Sequence, residues 1–165
     1  MKPDPAARAG LCAVLRHDIE SIGRLSEELR TSVAALKADP REFRNCAAAA
    51  YLLHNLYNAL ENSFEQVSRT FENHVVDRGR WHRELLDKMF LPIDGWRPAV
   101  LPEGHRGLAN DLRGFRHIFR HSYDFTLDPG RVIQLAERWL GDVRAFEEAL
   151  ERFCEFLIGD APKPP

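Results

Sequence analysis

Several features are missing from this chain, and each absence removes a class of function. No apolar run approaches the roughly 20 residues a membrane-spanning helix needs, and the opening residues lack the basic-then-apolar pattern of a secretory signal. The expected location is therefore the cytosol, with no membrane partner. Cysteine is scarce. Cys12, Cys46 and Cys154 are widely spaced and form no Cys-x-x-Cys pair, which removes zinc ribbons and dithiol redox motifs. Each lies in an apolar helical stretch and is expected to be buried as a small hydrophobe in a reducing compartment. There is no Gly-rich phosphate loop, no internal repeat and no alternating strand pattern of useful length. Charge of one sign is missing too: 23 basic residues against 25 acidic ones leave a formal net charge of −2. That excludes a broad positive field for coating nucleic acid and leaves room for a small basic site.

What the chain does have is helical periodicity. Leu11, Leu15, Asp18, Ile22, Leu25, Leu29, Val33 and Leu36 recur at three- and four-residue steps, which predicts a helix from about Ala6 to Lys37. Such a helix is about 48 Å long, enough for part of it to face a partner. Asp18 is the one polar member of the stripe, and with His17 it reads as a register-setting polar pair. Asp39-Pro40 predicts the next helix start, Asp as cap and Pro in the first turn. Phe43, Cys46, Ala47, Ala50, Tyr51, His54, Tyr57, Leu60, Phe64, Val67, Phe71 and Val75 then carry its apolar face as far as Gly79. A short helix from about Trp81 to Phe90 follows. Pro92, Gly95, Pro98, Pro102 and Gly104 predict a long loop over Leu91 to Gly107, of a length that is often functional. Helix resumes from about Leu108 to His121 or Tyr123, and Asp128-Pro129 opens a last helix carrying Val132, Leu135, Trp139, Val143, Phe146, Leu150, Phe153 and Leu157. The expectation is an all-α, up-and-down bundle of four main helices and one short one, a single domain over 1–165 with frayed, Pro-rich ends at about 1–5 and 160–165.

The densest chemistry lies between Arg113 and Tyr123, where three arginines, two histidines and a tyrosine occupy eleven residues. Arg supplies a rigid donor fork for phosphate, and His moves a proton near neutral pH. The spacing Arg-x-x-x-x-His at Arg116 and His121 resembles the signature of HEPN ribonucleases. Extended to Arg-x-x-x-x-His-x-Tyr by Tyr123, it resembles the HepT toxins of HepT–MntA toxin–antitoxin systems. The preceding loop with Trp96, Arg97 and Pro98 and the Asp-Pro start after the tyrosine match that layout as well. With 19 arginines and seven histidines, about one such Arg-His pair arises by chance. Arg69 and His74 are such a pair, without the tyrosine and inside a long amphipathic helix. One departure stands in the motif: the residue after its Arg, often a small polar amide or acid in the family, is His117.

The resemblance implies a HEPN-like fold and metal-independent RNA cleavage without a cofactor. The ribose 2′-OH attacks the adjacent phosphate to leave a 2′,3′-cyclic phosphate and a 5′-OH. His121 is then the general acid or base and Arg116 the phosphate ligand. Arg113, His117, Arg120 and Tyr123 are RNA-binding or supporting residues. On an ideal helix, positions five apart point about 140° from each other. Arg116 and His121 therefore converge only where the helix ends near His121, or where a second subunit completes the site. The family shares its site across a two-fold homodimer and is silenced by a nucleotidyltransferase antitoxin, which modifies the motif tyrosine with AMP. Tyr123 is the corresponding modification candidate.

Two other classes compete. One is a non-catalytic helical module that holds a nucleotidyltransferase or its substrate. The other is a metal-dependent hydrolase on His117 and His121, four apart on one helical face, with Asp124 nearby. His54, His74, His82 and His105 form no ligand pattern. The segment from Tyr51 to Asn58 reads as core and interface or as a stacking surface for RNA. Asn55, Asn58 and Glu61 lie at helical spacing and are placed to reach the motif helix.

Overall fold

A computed structural model describes residues 3–72, 81–121 and 126–159. Five α-helices account for nearly all of them: α1 (Pro5–Ala38), α2 (Phe43–Glu72), α3 (Trp81–Met89), α4 (Arg106–His121) and α5 (Pro129–Gly159). One 3-10 turn, Glu103–His105, leads into α4. Among the described residues there is no strand, only a single antiparallel bridge between Ile93 and Arg97. The all-α bundle of four main helices and one short helix is thus the architecture observed. No helix among the described residues is long and apolar enough to cross a membrane.

The ends of the helices follow from local chemistry. Asp4 Oδ1 accepts from the Ala7 amide at 2.7 Å and Pro5 occupies the first turn, so α1 opens on an Asp-Pro pair. Asp128 does the same for α5, accepting from the Gly130 and Arg131 amides at 2.9 and 3.3 Å. The pair at Asp39-Pro40 behaves differently, and α2 starts three residues later than expected. The Asp39 amide donates to Ala35 O at 3.0 Å, closing α1, and Pro40 falls in the turn. Glu42 Oε1 then takes the Arg44 amide at 3.1 Å before α2 begins at Phe43. The same dipeptide ends one helix here because the preceding helix still needed a partner for its last carbonyls. The expected end of α2 at Gly79 lies outside the described residues.

α1 packs chiefly on α2 and α5, and its apolar stripe is buried from Leu11 to Leu36. Leu53, Leu56, Leu60 and Phe64 of α2 and Trp139, Phe146 and Phe153 of α5 complete the core. The buried stripe runs along most of α1, while its opposite side, with Val14, is exposed. Asp18, the polar member of that stripe, accepts from Asn62 Nδ2 at 2.9 Å and Ser63 Oγ at 2.8 Å, which fixes the register of α1 on α2. All three cysteines are buried and unpaired; burial, with Cys12 alongside, pushes the Cys154 thiol up to about 12, so it behaves as a core hydrophobe. Phe43 and Tyr51, expected on the apolar face of α2, stand exposed instead.

The loop from Leu91 is a brace. Gly95 takes a positive φ of 74°, which the tight Ile93–Arg97 bridge requires. Arg97 then turns inward. Its Nη2 donates to Glu72 at 2.6 Å and to Lys88 O at 3.2 Å, and its Nη1 donates to Leu91 O and Pro98 O. One buried guanidinium thereby ties the end of α2 to α3 and the loop, and a surface aromatic–proline cleft of about 380 Å³ forms between this brace, Arg8, Phe71 and Phe156.

Candidate functional site

α2 and α4 are packed together, and the chemistry sits on their shared face. On α2, His54, Asn58 and Glu61 follow one another at four- and three-residue steps, so they form one row. On α4, Arg113, Arg116 and Arg120 do the same. The rows meet at Arg116. Its Nε donates to Asn58 Oδ1 at 2.5 Å, and its Nη2 pairs with Glu61 Oε1 at 3.2 Å. Its guanidinium carbon lies 5.8 Å from the centre of the fully buried Tyr57 ring. Both partners of the ion pair are almost enclosed, with 12% of the Arg116 side chain and 7% of the Glu61 side chain exposed. Among the described residues Nη1 of Arg116 has no partner, so the fork is aimed and half used.

α3 contributes from the side. His82 Nδ1 lies 2.9 Å from Glu61 Oε2, close enough for an ion pair when the ring is protonated, though not aligned as a hydrogen bond. His54 packs its ring on Phe119, with centroids 5.2 Å apart. Burial, followed by the charges of Arg116 and Arg120, holds its pKa below the ordinary histidine value. Burial also raises the Tyr57 hydroxyl, with Glu61 acting in the same direction, so it stays protonated.

The polar atoms here are poorly satisfied. Six buried side-chain nitrogen or oxygen atoms among the described residues make no aligned hydrogen bond in the chain, and five belong to residues around Arg116: His54 Nδ1, Tyr57 Oη, Arg113 Nε, and the facing pair Glu61 Oε2 and His82 Nδ1. Buried polar groups are normally paired, and those that are not concentrate where a protein does something other than fold.

The motif itself is split. Arg113 and Arg116 face α2, whereas His117 and His121 lie together on the outer side, ring centroids 4.8 Å apart and both residues exposed. α4 stays helical through His121, so the 140° divergence expected from the spacing is retained. One protomer does not bring Arg116 and His121 together. Arg120 is exposed, and Tyr123 lies outside the described residues. His117 and His121 form no metal-holding group with a third donor among the described residues, and Asp124, the carboxylate that the metal alternative pairs with them, lies outside those residues. Asn58 and Glu61 reach the motif helix as their spacing predicts, and Asn55 forms no contact with it that parallels theirs. His54 and His82, which fit no ligand pattern in the sequence, are at the site. His54 was legible as the residue one turn before Asn58; His82 comes from another helix and had no local signal.

The outer face of the second half of α4, with His117, Ile118 and His121, is exposed. Leu108, Ala109 and Leu112 are buried in its first half, but no residue from Arg113 to His121 is. Ile118 is 45% exposed, beside half-buried Phe115 and Phe119.

No curated protein matches the chain. A family model described as HepT-like protein does, over residues 48–157, about two thirds of the chain and every site residue named above. The chain belongs to the HepT-like family.

Proposed function

We propose that this protein is a metal-independent endoribonuclease toxin of a HEPN/nucleotidyltransferase toxin–antitoxin system, working as a homodimer. The observation that carries the reading is Arg116. A cation clasped by Asn58 and Glu61 in a nearly enclosed site, with Nη1 uncommitted and unsatisfied polar atoms around it, is held for an anion that arrives from outside. Membership of the HepT-like family supports the choice of RNA phosphate as that anion.

In this mechanism the uncommitted edge of Arg116 binds a non-bridging phosphate oxygen and stabilises the charge that builds as the ribose 2′-OH attacks phosphorus. The P–O5′ bond breaks, leaving a 2′,3′-cyclic phosphate and a 5′-OH. His121 exchanges the proton, and Arg113, His117 and Arg120 guide the strand. His121 points away from Arg116 in its own protomer, so the partner subunit supplies it across a two-fold axis. The exposed outer face of α4 with Ile118 is the surface suited to that contact. A cognate nucleotidyltransferase antitoxin, with Tyr123 as its modification target, completes the system.

The divergence of Arg116 and His121 also favours the second reading, a non-catalytic module that holds a nucleotidyltransferase. One experiment separates the two. Purified protein is incubated with RNA in EDTA, beside Arg116→Ala, His121→Ala and a mixture of both variants after subunit exchange. The nuclease reading expects cyclic-phosphate ends from wild type, a loss of about 10²–10³-fold in each variant, and partial recovery in the mixture, where one intact site is rebuilt. An inert wild type that still binds a nucleotidyltransferase establishes the second reading.

A further inference from the structure

The proposed cleavage moves two protons, one off the 2′-OH and one onto O5′, and a single histidine does not occupy both ends of the reacting phosphate at once. His121 is the one histidine the motif names, and within the protomer it faces away from Arg116. Two described histidines stand on the Arg116 side, His54 and His82, and His82 is turned to Glu61 Oε2 at 2.9 Å, which leaves His54. It lies one turn before Asn58, which holds Arg116, and its ring rests on Phe119, between Arg116 and Arg120 in the α4 sequence. Its Nδ1 is buried without a partner, its Nε2 is not among the enclosed unpaired atoms, and the residue as a whole is only partly buried. We infer that His54 is the general base of the site, taking the 2′-OH proton on Nε2 while His121 protonates the departing O5′.

This rests on the ribonuclease reading, and it specifies which group does which half of the chemistry. The surroundings suit the role. Arg116 and Arg120 face the ring from α4, Glu61 lies two turns along α2, and His82 of α3 stands beyond Glu61. Burial and the two arginines keep the ring neutral at pH 7, which is the form a base requires. The proton count closes: His54 gains one, His121 loses one, the P–O2′ bond forms and the P–O5′ bond breaks. His54 then gives its proton to water and His121 takes one up, which resets the pair.

The test compares wild type, His54→Asn, His54→Gln and His121→Ala on RNA and on a nucleoside 3′-(p-nitrophenyl) phosphate, whose leaving group needs no acid. Full pH–rate profiles are taken, with thermal melts of the His54 variants to confirm that they fold. His54→Asn and His54→Gln are expected to lose about 10²–10⁴-fold on both substrates and to lose the acidic limb of the profile. Added imidazole restores part of the rate to a His54→Gly variant. His121→Ala is expected to be slow on RNA and largely spared on the p-nitrophenyl substrate. Wild-type rates and profile in folded His54 variants overturn the assignment while leaving the nuclease intact. So does a uniform loss with an unchanged profile and no imidazole rescue, which marks His54 as packing only. An inert wild type removes the nuclease reading itself, and this assignment with it.

Discussion

Two arginines in this protein each grip a glutamate of α2 in a nearly closed environment, and they differ in how completely they are used. Arg97 spends both terminal nitrogens on Glu72 and three backbone carbonyls, leaving only its Nε unpaired. Arg116 has one amide, one carboxylate oxygen and one aromatic face, with Nη1 uncommitted and His54 Nδ1 and Arg113 Nε unpaired nearby. The first arrangement is closed and fastens three elements together. The second is open on one side and keeps a cation in place without neutralising its last donors. A buried ion pair by itself is weak evidence for either role; the count of satisfied neighbours separates them.

The largest expected effect comes from opening the closed site. Arg97→Ala leaves Glu72 with Lys88 as its one remaining cation, at 3.1 Å, and unpairs three carbonyls, and is expected to lower stability by about 3–5 kcal/mol. Arg116→Ala leaves Glu61 with His82 as neighbour and unpairs no backbone carbonyl, and should cost less, about 1–3 kcal/mol. Denaturant melts of the two variants side by side check the order; equal losses break the comparison. A sharper probe is Glu61→Gln, which keeps an oxygen for Arg116 and removes the charge. Stability is expected to move by under about 1 kcal/mol, while RNA cleavage falls by about tenfold as the guanidinium loses its charged anchor. A substitution at Glu61 that abolishes folding but spares cleavage in the folded fraction would place it with Glu72 as a structural group.

The smallest effect is on pH. Burial raises the Glu72 carboxyl, but hydrogen bonds from Arg97 and Lys88 prevail and hold it below the ordinary glutamate value. A folded-state pKa below the unfolded one contributes stability that is present above the unfolded value, about 4.3, and is lost as pH falls through the folded one. The melting temperature of wild type should therefore drop below that pH with a slope that Glu72→Gln lacks. The contribution is under about 1 kcal/mol once solvent screening is allowed for.

Much of the bundle was legible because its signals are local. The stripe from Leu11 to Leu36, the start of α5 at Asp128-Pro129 and the position of α3 all rest on periodicity and capping within a few residues. Asp39-Pro40 shows the limit of that reading, since the demand of α1 for a C-terminal cap displaced the start of α2 to Phe43. The exposure of Phe43 and Tyr51 is a second limit: periodicity assigns a face, and only the neighbours decide whether anything covers it. At the site, Asn58 and Glu61 were foreseeable from their spacing, while His54 was left aside because one histidine on an apolar face forms no pattern.

Arg116 and His121 show the division most clearly. The sequence by itself determined that they sit on one helix, five residues apart and therefore on different sides of it, because helical pitch is a property of the backbone. Only the tertiary structure decided which side meets α2, and with it the choice of Asn58, Glu61, Tyr57 and His54 as the company of Arg116. It also brought His82 to Glu61 from a separate helix. Side chains far apart in the chain meet only after the helices have packed, and that packing is set by the buried apolar faces rather than by the polar residues it brings together.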